Sequence, residues 1–445
     1  MVIDFLNSLI SVFEWVMLLF VIGGGVFLFV YSQAKPLRFI NKAFNLLKKD
    51  KDVSLDSSQI SNFQALTAVI ASTVGLGNIS GVAIAIYMGG PGVVFWMWIT
   101  ALIGMVIKFY SCSLAVKFRE TNGKGEILAG PMYYMKQIKG FGKPLGIFYA
   151  TVTLFGVLPA FTSNQMTNAI VEITQPAQYV TWDIFYIKFF IGVVFLIMTA
   201  YVIFGGLQKI VHLTAKLVPL MVGLYLLIAL FVIFTNFGGA HAAMKLIFVE
   251  AFNFNTAVSG GLMGLIIIGM RRAVFSNESG LGTAPMYHGQ SKANRPVDEG
   301  IVAMLGPFID TIVVCSITAL VILISGTYID GEKNGILLTM QAFDLLLFDF
   351  GKPLLLVMVL VFGISTLFTY SYYGTKCIAF LLGDKYKNLY HYPYLISIIL
   401  AAVASLDLVI AVIDLSFALM SIANMIAVIY LSKYINQELK NKNHV

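Results

Sequence analysis

The chain alternates between long apolar stretches and short polar ones. Eleven stretches approach the length of about 20 residues that carries a helix across a bilayer core. They run approximately over 9–31, 63–88, 92–116, 146–172, 186–204, 211–234, 256–275, 301–326, 353–382, 393–413 and 416–432. Tilt absorbs the longer ones. The first resembles a secretory signal in length, but it lacks a basic leading region and a small-residue cleavage site. Glu14 stands near its start instead, so it reads as a permanent span. Two loops are long enough for structure of their own. Residues 236–255 form an amphipathic segment on the outer face, and Gly130-Pro131 in 117–145 turns into a short interfacial helix.

No Pro- or Ser-rich linker divides the 445 residues, so they form a single membrane domain. Residues 1–62 supply the first helix and a basic linker, 63–234 and 256–432 are two groups of five spans, and 433–445 is a tail. With 59% hydrophobic and 11% charged residues, the chain is no soluble enzyme; soluble domains are about a quarter charged. Cys112, Cys315 and Cys377 lie in apolar stretches without paired spacing and read as small core residues. Neither an HExxH zinc motif nor a GxxxxGK[ST] phosphate loop occurs.

The net charge of +7 is a matter of topology rather than of nucleic-acid binding. With the N-terminus outside, 24 Lys and Arg fall on the cytoplasmic side. Only Lys188, Lys245, Lys333 and Lys352 fall outside. That bias orients the bundle N-out and C-in.

The informative residues are polar ones at membrane depth. In the second span, Gly75, Gly77 and Gly81 cluster with Ser72, Thr73, Asn78 and Ser80. Gly77 and Gly81 fit a helix-packing face. Asn, Ser and Thr within one turn of paired glycines favour an unwound segment, whose freed amides and carbonyls suit a carboxylate and a cation. In the ninth span Ser365 and Thr366 are adjacent hydroxyls, which either bond back to the preceding turn or offer oxygen to a monovalent cation. Asp310 in the eighth span is an intramembrane carboxylate, a sign of ion coordination or of a structural pair. Lys108 in the third span is its structural alternative, as a buried partner or as a base snorkelling to the inner face.

The apolar part of the seventh span, 262–270, is too short to cross alone, and Arg271, Arg272, Asn277 and Glu278 follow it. For the arginines the expectation is an inner-face loop after a tilted helix, with a broken helix as the alternative. Interrupted segments opening both groups of five would mark an inverted-repeat transporter. In the fourth span Ser163, Asn164, Gln165, Thr167 and Asn168 are either an outer-end cap or a pocket wall.

GLGNISGVA, MGGPGVVFWMWITALIGM, AGPMYYM and RRAVFSNESGLGTAP resemble the alanine/glycine:cation symporters, also called sodium:alanine symporters. The resemblance runs from the second span to the last. It implies a LeuT-like 5+5 inverted repeat preceded by one extra helix, in the inner membrane of a bacterium or archaeon. It also implies sodium-driven uptake of small neutral amino acids, alanine or glycine, with protons as an alternative coupling ion. By the same resemblance, backbone from Thr73 through Gly75 to Gly77 holds the substrate carboxylate. The carbonyls of Ala71 and Val74 with the hydroxyls of Ser365 and Thr366 bind sodium. Thr73 and Asn78 stand where a second cation would bind, and Asn164, Gln165, Ile268 and Gly269 belong to the substrate pocket. Two departures matter. Ile268-Gly269 stands where relatives carry tryptophan-glycine, and Met166 stands where glutamine is expected. The smaller side chain at 268 would enlarge the pocket toward glutamine.

The rival classes are weaker. A channel needs a continuous polar lining, whereas these clusters are local and at mid-depth. A membrane enzyme built on Asp310 and Glu278 lacks a nucleophile. A proton-coupled carrier or an exchanger remains the alternative. The expected partners are an amino acid and the lipid bilayer, with neither nucleic acid nor an obligate protein.

Overall fold

Backbone amides in hydrocarbon must find their partners within the protein, and for a single apolar segment the helix does that. The computed structural model describes residues 10, 12–49, 59–123, 125–174, 183–253, 261–329, 334–348 and 350–440. Its order begins with α1 (Val12–Tyr31), α2 (Ile40–Lys49), α3 (Asn62–Thr73), α4 (Leu76–Gly89) and α5 (Val93–Lys117). A small antiparallel hairpin follows, β1 (Glu120–Thr121) with β2 (Ile127–Leu128). Then come α6 (Pro131–Met135), α7 (Gly142–Gly156), α8 (Ala160–Thr174), α9 (Ile184–Ile203), α10 (Gly206–Thr235) and α11 (Phe237–Glu250). The second half holds α12 (Gly261–Asn277), α13 (Ala284–His288), α14 (Pro296–Ser325), α15 (Ile336–Leu346), α16 (Gly351–Leu382), α17 (His391–Val403) and α18 (Leu406–Lys440).

Among the described residues, eight helices are long and apolar enough to cross a membrane, taking α7 and α8 as one. The pair α3 and α4 makes a ninth, bent by 41° at its break. The other two expected spans are short in the structure: α12 has 17 residues and α17 has 13. Positions 256–260 of the expected seventh span lie outside the described residues.

Two expectations are corrected. Arg271 and Arg272 do not lie in a loop; α12 continues through them to Asn277. Glu14 of α1 and Asp414 of α18 face their charges. The last turn falls at Ala404–Ser405 rather than near 414–415. Asp414, in the gap between the expected tenth and eleventh spans, sits within α18, facing those arginines. Other expectations match the structure. Within the expected 236–255 segment, of which 254 and 255 lie outside the described residues, there is a helix, α11, and α6 starts at Pro131, after Gly130 with its φ of 135°.

Lys42 pairs with Asp298 at 3.0 Å, Lys387 with Glu126 at 3.6 Å, and Lys117 with Glu438, all from segments expected on one side. At the other end of α5, the indole of Trp96 donates to the Ala251 carbonyl at 3.0 Å. The exterior is apolar: Phe190 and Tyr201 on α9 and Leu227 and Phe234 on α10 project outward, as lipid-facing side chains do. In the centre, α3 packs on α10 and α16, and α4 packs on α12 and α15. The two interrupted segments therefore lie in the middle of the protein.

Candidate substrate and cation site

The second span breaks where glycine permits it. α3 ends at Thr73, Val74 is extended with ψ of 92°, and α4 starts at Leu76. Its start has no side-chain cap, so the first amides of α4 are left to another partner. A helix end also frees its last carbonyls, here those of Ala71 through Val74. A side-chain carbon at Gly75 would stand 2.8 Å from the Thr366 hydroxyl, so only glycine lets α16 come this close. Both readings of the glycine cluster hold. Gly75 belongs to the break, while Gly77 and Gly81 take the ring of Phe275 in ordinary contact.

α16 supplies the facing hydroxyls. Thr366 Oγ1 donates to the Ala71 carbonyl at 3.1 Å and Ser365 Oγ approaches the same oxygen at 3.4 Å. Each also bonds back to Phe362, at 3.1 and 2.8 Å. Two turns on, Tyr373 meets the Ser72 hydroxyl at 2.8 Å. Carbonyl and hydroxyl oxygens from two helices converge, a donor set that suits a hard monovalent cation. Ala71, Ser365 and Thr366 thus meet, and Val74 lies on the same freed turn.

A cavity opens beside this contact. From the break it takes Ser72, Thr73, Gly75, Leu76 and Gly77, and from α16 it takes Thr366 and Tyr370. Phe161, Phe275 and Phe417 line it too. Their rings form a cluster, with Phe275 4.9 Å from Phe161 and 5.7 Å from Phe417. Uncapped amides on one wall and aromatic rings on another suit a small zwitterion with an apolar side chain.

The seventh span breaks as well. After α12, Glu278 adopts a left-handed conformation with φ of 54°, and Gly280 and Gly282 carry the chain to α13. Glu278 is buried and accepts hydrogen bonds from Tyr370 and, at 2.5 Å, from Thr283. The cavity wall and the second break are therefore joined through Tyr370. Ile60 ahead of α3 pairs with Ser291 after α13, which ties the two segments together.

Other residues singled out in the sequence lie elsewhere. Asn164 donates to the carbonyls of Ala401 and Ala404 at 3.1 and 2.8 Å. Gln165 accepts from Ser80 at 2.6 Å and from the Ile336 amide at 3.2 Å. Both tie α8 to its neighbours and neither lines the cavity. Gly269 is the closest approach of α12 to α5, since a carbon there would stand 2.7 Å from Trp96 Cβ, and Ile268 packs over Gly89. Asn78 donates to the Asp310 carbonyl at 2.9 Å, where α14 widens into a π-helical stretch over Phe308–Cys315. Phe161, Phe275, Tyr370 and Phe417 were not found from the sequence. Aromatic residues are common in every span, and nothing local separates those four from the rest.

Residues 1–444 match the family model described as the sodium:alanine symporter family. The chain is 36% identical over 453 residues to the sodium/alanine symporter AgcS of Methanococcus maripaludis, covering 99% of this chain and 98% of that one. It is 33% identical to the probable sodium/glutamine symporter GlnT of Bacillus subtilis, covering 94% and 85%. Among solved structures, the crystal structure of MhsT in complex with L-phenylalanine aligns with a TM-score of 0.57. It covers 86% of this chain and 98% of its own, at 14% identity, so the likeness is one of fold.

Proposed function

The chain belongs to the sodium:alanine symporter family, and we propose on that premise how it carries sodium and an amino acid together. It is a sodium-coupled amino-acid symporter working by alternating access. The observation that carries the reading is the meeting of the α3–α4 break with the hydroxyls of Ser365 and Thr366. Sodium binds between the carbonyls of Ala71 and Val74 and those two hydroxyls, joining α3 to α16. The amino acid places its carboxylate at the uncapped amides of Leu76 and Gly77 and its side chain against Phe161, Phe275 and Phe417. Thr73 and Gly75 shape the wall next to it.

Coupling follows from that adjacency. Sodium that fixes α3 against α16 also fixes the break from which α4 presents its amides, so each cargo favours the conformation the other binds. The broken helices α3–α4 and α12–α13 then rock against the rest of the bundle. The α12–α13 segment and the short α17 complete eleven crossings, oriented N-out and C-in, in a bacterial or archaeal cytoplasmic membrane. One charge moved through 100 mV supplies ~2.3 kcal/mol, roughly a fifty-fold gradient before any sodium gradient is added.

The three phenylalanines favour a small neutral substrate, alanine or glycine, over glutamine. Uptake of labelled alanine and glutamine into proteoliposomes, in sodium and in choline, tests the reading. Sodium-driven accumulation of alanine is expected. Equal accumulation in both buffers would indicate proton coupling or exchange and would remove Ser365 and Thr366 as ion ligands. Preference for glutamine would overturn the substrate assignment alone.

A further inference from the structure

Beyond the cation site, Lys108 on α5, Glu278 after α12 and Asp310 on α14 are buried charged side chains with no ion-pair partner in contact among the described residues, whereas the buried Glu299 meets His288 at 2.5 Å and the buried Arg272 faces Asp414 at 3.7 Å. Glu278 is held by two hydroxyls. The other two are bare. Neither carboxylate oxygen of Asp310, nor the ammonium of Lys108, has a hydrogen-bond partner among the described residues. The Thr73 hydroxyl of the facing helix donates to the Val69 carbonyl at 3.0 Å. Asn78 gives its amide hydrogens to the Asp310 backbone, and its Oδ1 is also without a partner.

Two glycines fix where Lys108 lies. A carbon added at Gly306, one turn before Asp310, would stand 3.1 Å from Lys108 Nζ. One turn before Lys108, a carbon at Gly104 would stand 2.5 Å from the hydroxyl of Ser279, the neighbour of Glu278. The ammonium thus lies against the helix of Asp310, and the helix that carries it meets Ser279 beside Glu278. It bonds to neither carboxylate: Asp310 and Lys108 stay unpartnered among the described residues, and Glu278 keeps its two hydroxyls. A purely structural ion pair closes to contact, because an open pair leaves both ions desolvated without compensation. Here the pair stays apart on a long, flexible lysine stem.

The charge count is specific. Glu14 and Asp414 balance Arg271 and Arg272, and the buried Glu299 is met by His288. In the middle, two carboxylates face one ammonium, and one monovalent cation brings the sum to zero. We infer that the Lys108 ammonium is a built-in counter-cation for Asp310 and Glu278. It stands in for a second transported cation, so that each amino acid moves with one sodium. The inference rests on the sodium-symport reading above and sets its stoichiometry.

The test measures the sodium activation of uptake, and the charge moved per amino acid, in proteoliposomes at a set potential. For the unaltered protein a Hill coefficient of about 1 and about one charge per amino acid are expected. K108M should raise both toward about 2, because a second sodium must then neutralise Asp310. Adding D310N to K108M should return both to about 1. Unchanged values in K108M overturn the inference, as does a Hill coefficient of about 2 in the unaltered protein. If K108M is not recovered in the membrane, the double variant decides. Its recovery is expected because both charges leave together, and failure as complete as that of K108M overturns the inference. Uptake that ignores sodium in the unaltered protein removes the symport reading itself. Sodium-driven uptake with an indifferent K108M removes only the role of the lysine.

Discussion

The hydroxyl of Thr366 lies 3.1 Å from the carbonyl of Ala71, a residue 295 positions earlier in the chain. That contact joins a freed helix end on α3 to the middle of α16, and the proposed cation site is built around it. Thr366→Ala removes one oxygen ligand and leaves the fold of α16 intact. Its sodium half-saturation should rise about tenfold, equivalent to about 1.4 kcal/mol. The half-saturation for amino acid at saturating sodium should change far less. Thr366→Ser should retain most of the sodium affinity, and titration of uptake against sodium checks both.

Phe275 lines the cavity and packs on Gly77, whereas Ile268 packs over Gly89. Phe275→Ala should therefore shift selectivity toward larger substrates, raising the glutamine-to-alanine uptake ratio about tenfold. Ile268→Ala should leave that ratio within about twofold. Competition between the two labelled amino acids separates the variants, and the reverse ranking would move the pocket to Ile268.

Tyr370 connects the cavity wall to the break of the seventh span through Glu278. Tyr370→Phe leaves one oxygen of that buried carboxylate without its donor, at a cost of about 1–3 kcal/mol in the conformation that has the bond. Maximal uptake should fall about tenfold, with sodium half-saturation within about twofold of its starting value. A shift in sodium affinity without loss of rate would place Tyr370 in the ion site instead.

Glu14 and Arg271 join the first helix to α12, with Arg271 Nε donating to Glu14 at 2.6 Å. Both are partly accessible, so the pair is worth less than a fully buried one. Glu14→Ala should lower the unfolding free energy by about 2 kcal/mol, because Arg271 then keeps only the more distant Asp414. Replacing both partners with apolar residues should recover most of the loss, and thermal unfolding in detergent measures it.

The bilayer imposes a local rule: about 20 apolar residues per crossing, with the backbone satisfied within the segment. A rule of that kind is written in consecutive residues. The apolar runs, the sides on which Lys and Arg collect and the interruption at Gly75 were therefore legible in the sequence. The last turn was misplaced because Asp414 looks like a loop residue until its arginines are known. The arginines looked like the edge of a membrane until Glu14 and Asp414 were known. Asn164 and Gln165 were legible only as part of a polar cluster, an outer-end cap or a pocket wall, and the fold alone reveals that their partners are Ala401, Ala404, Ser80 and Ile336. The aromatic wall of the cavity was not legible at all. In a chain whose helices are apolar on every side, hydropathy does not mark which face of a helix meets which neighbour. That choice is made by close packing at small residues such as Gly75, Gly104 and Gly269, through contacts between segments far apart in sequence.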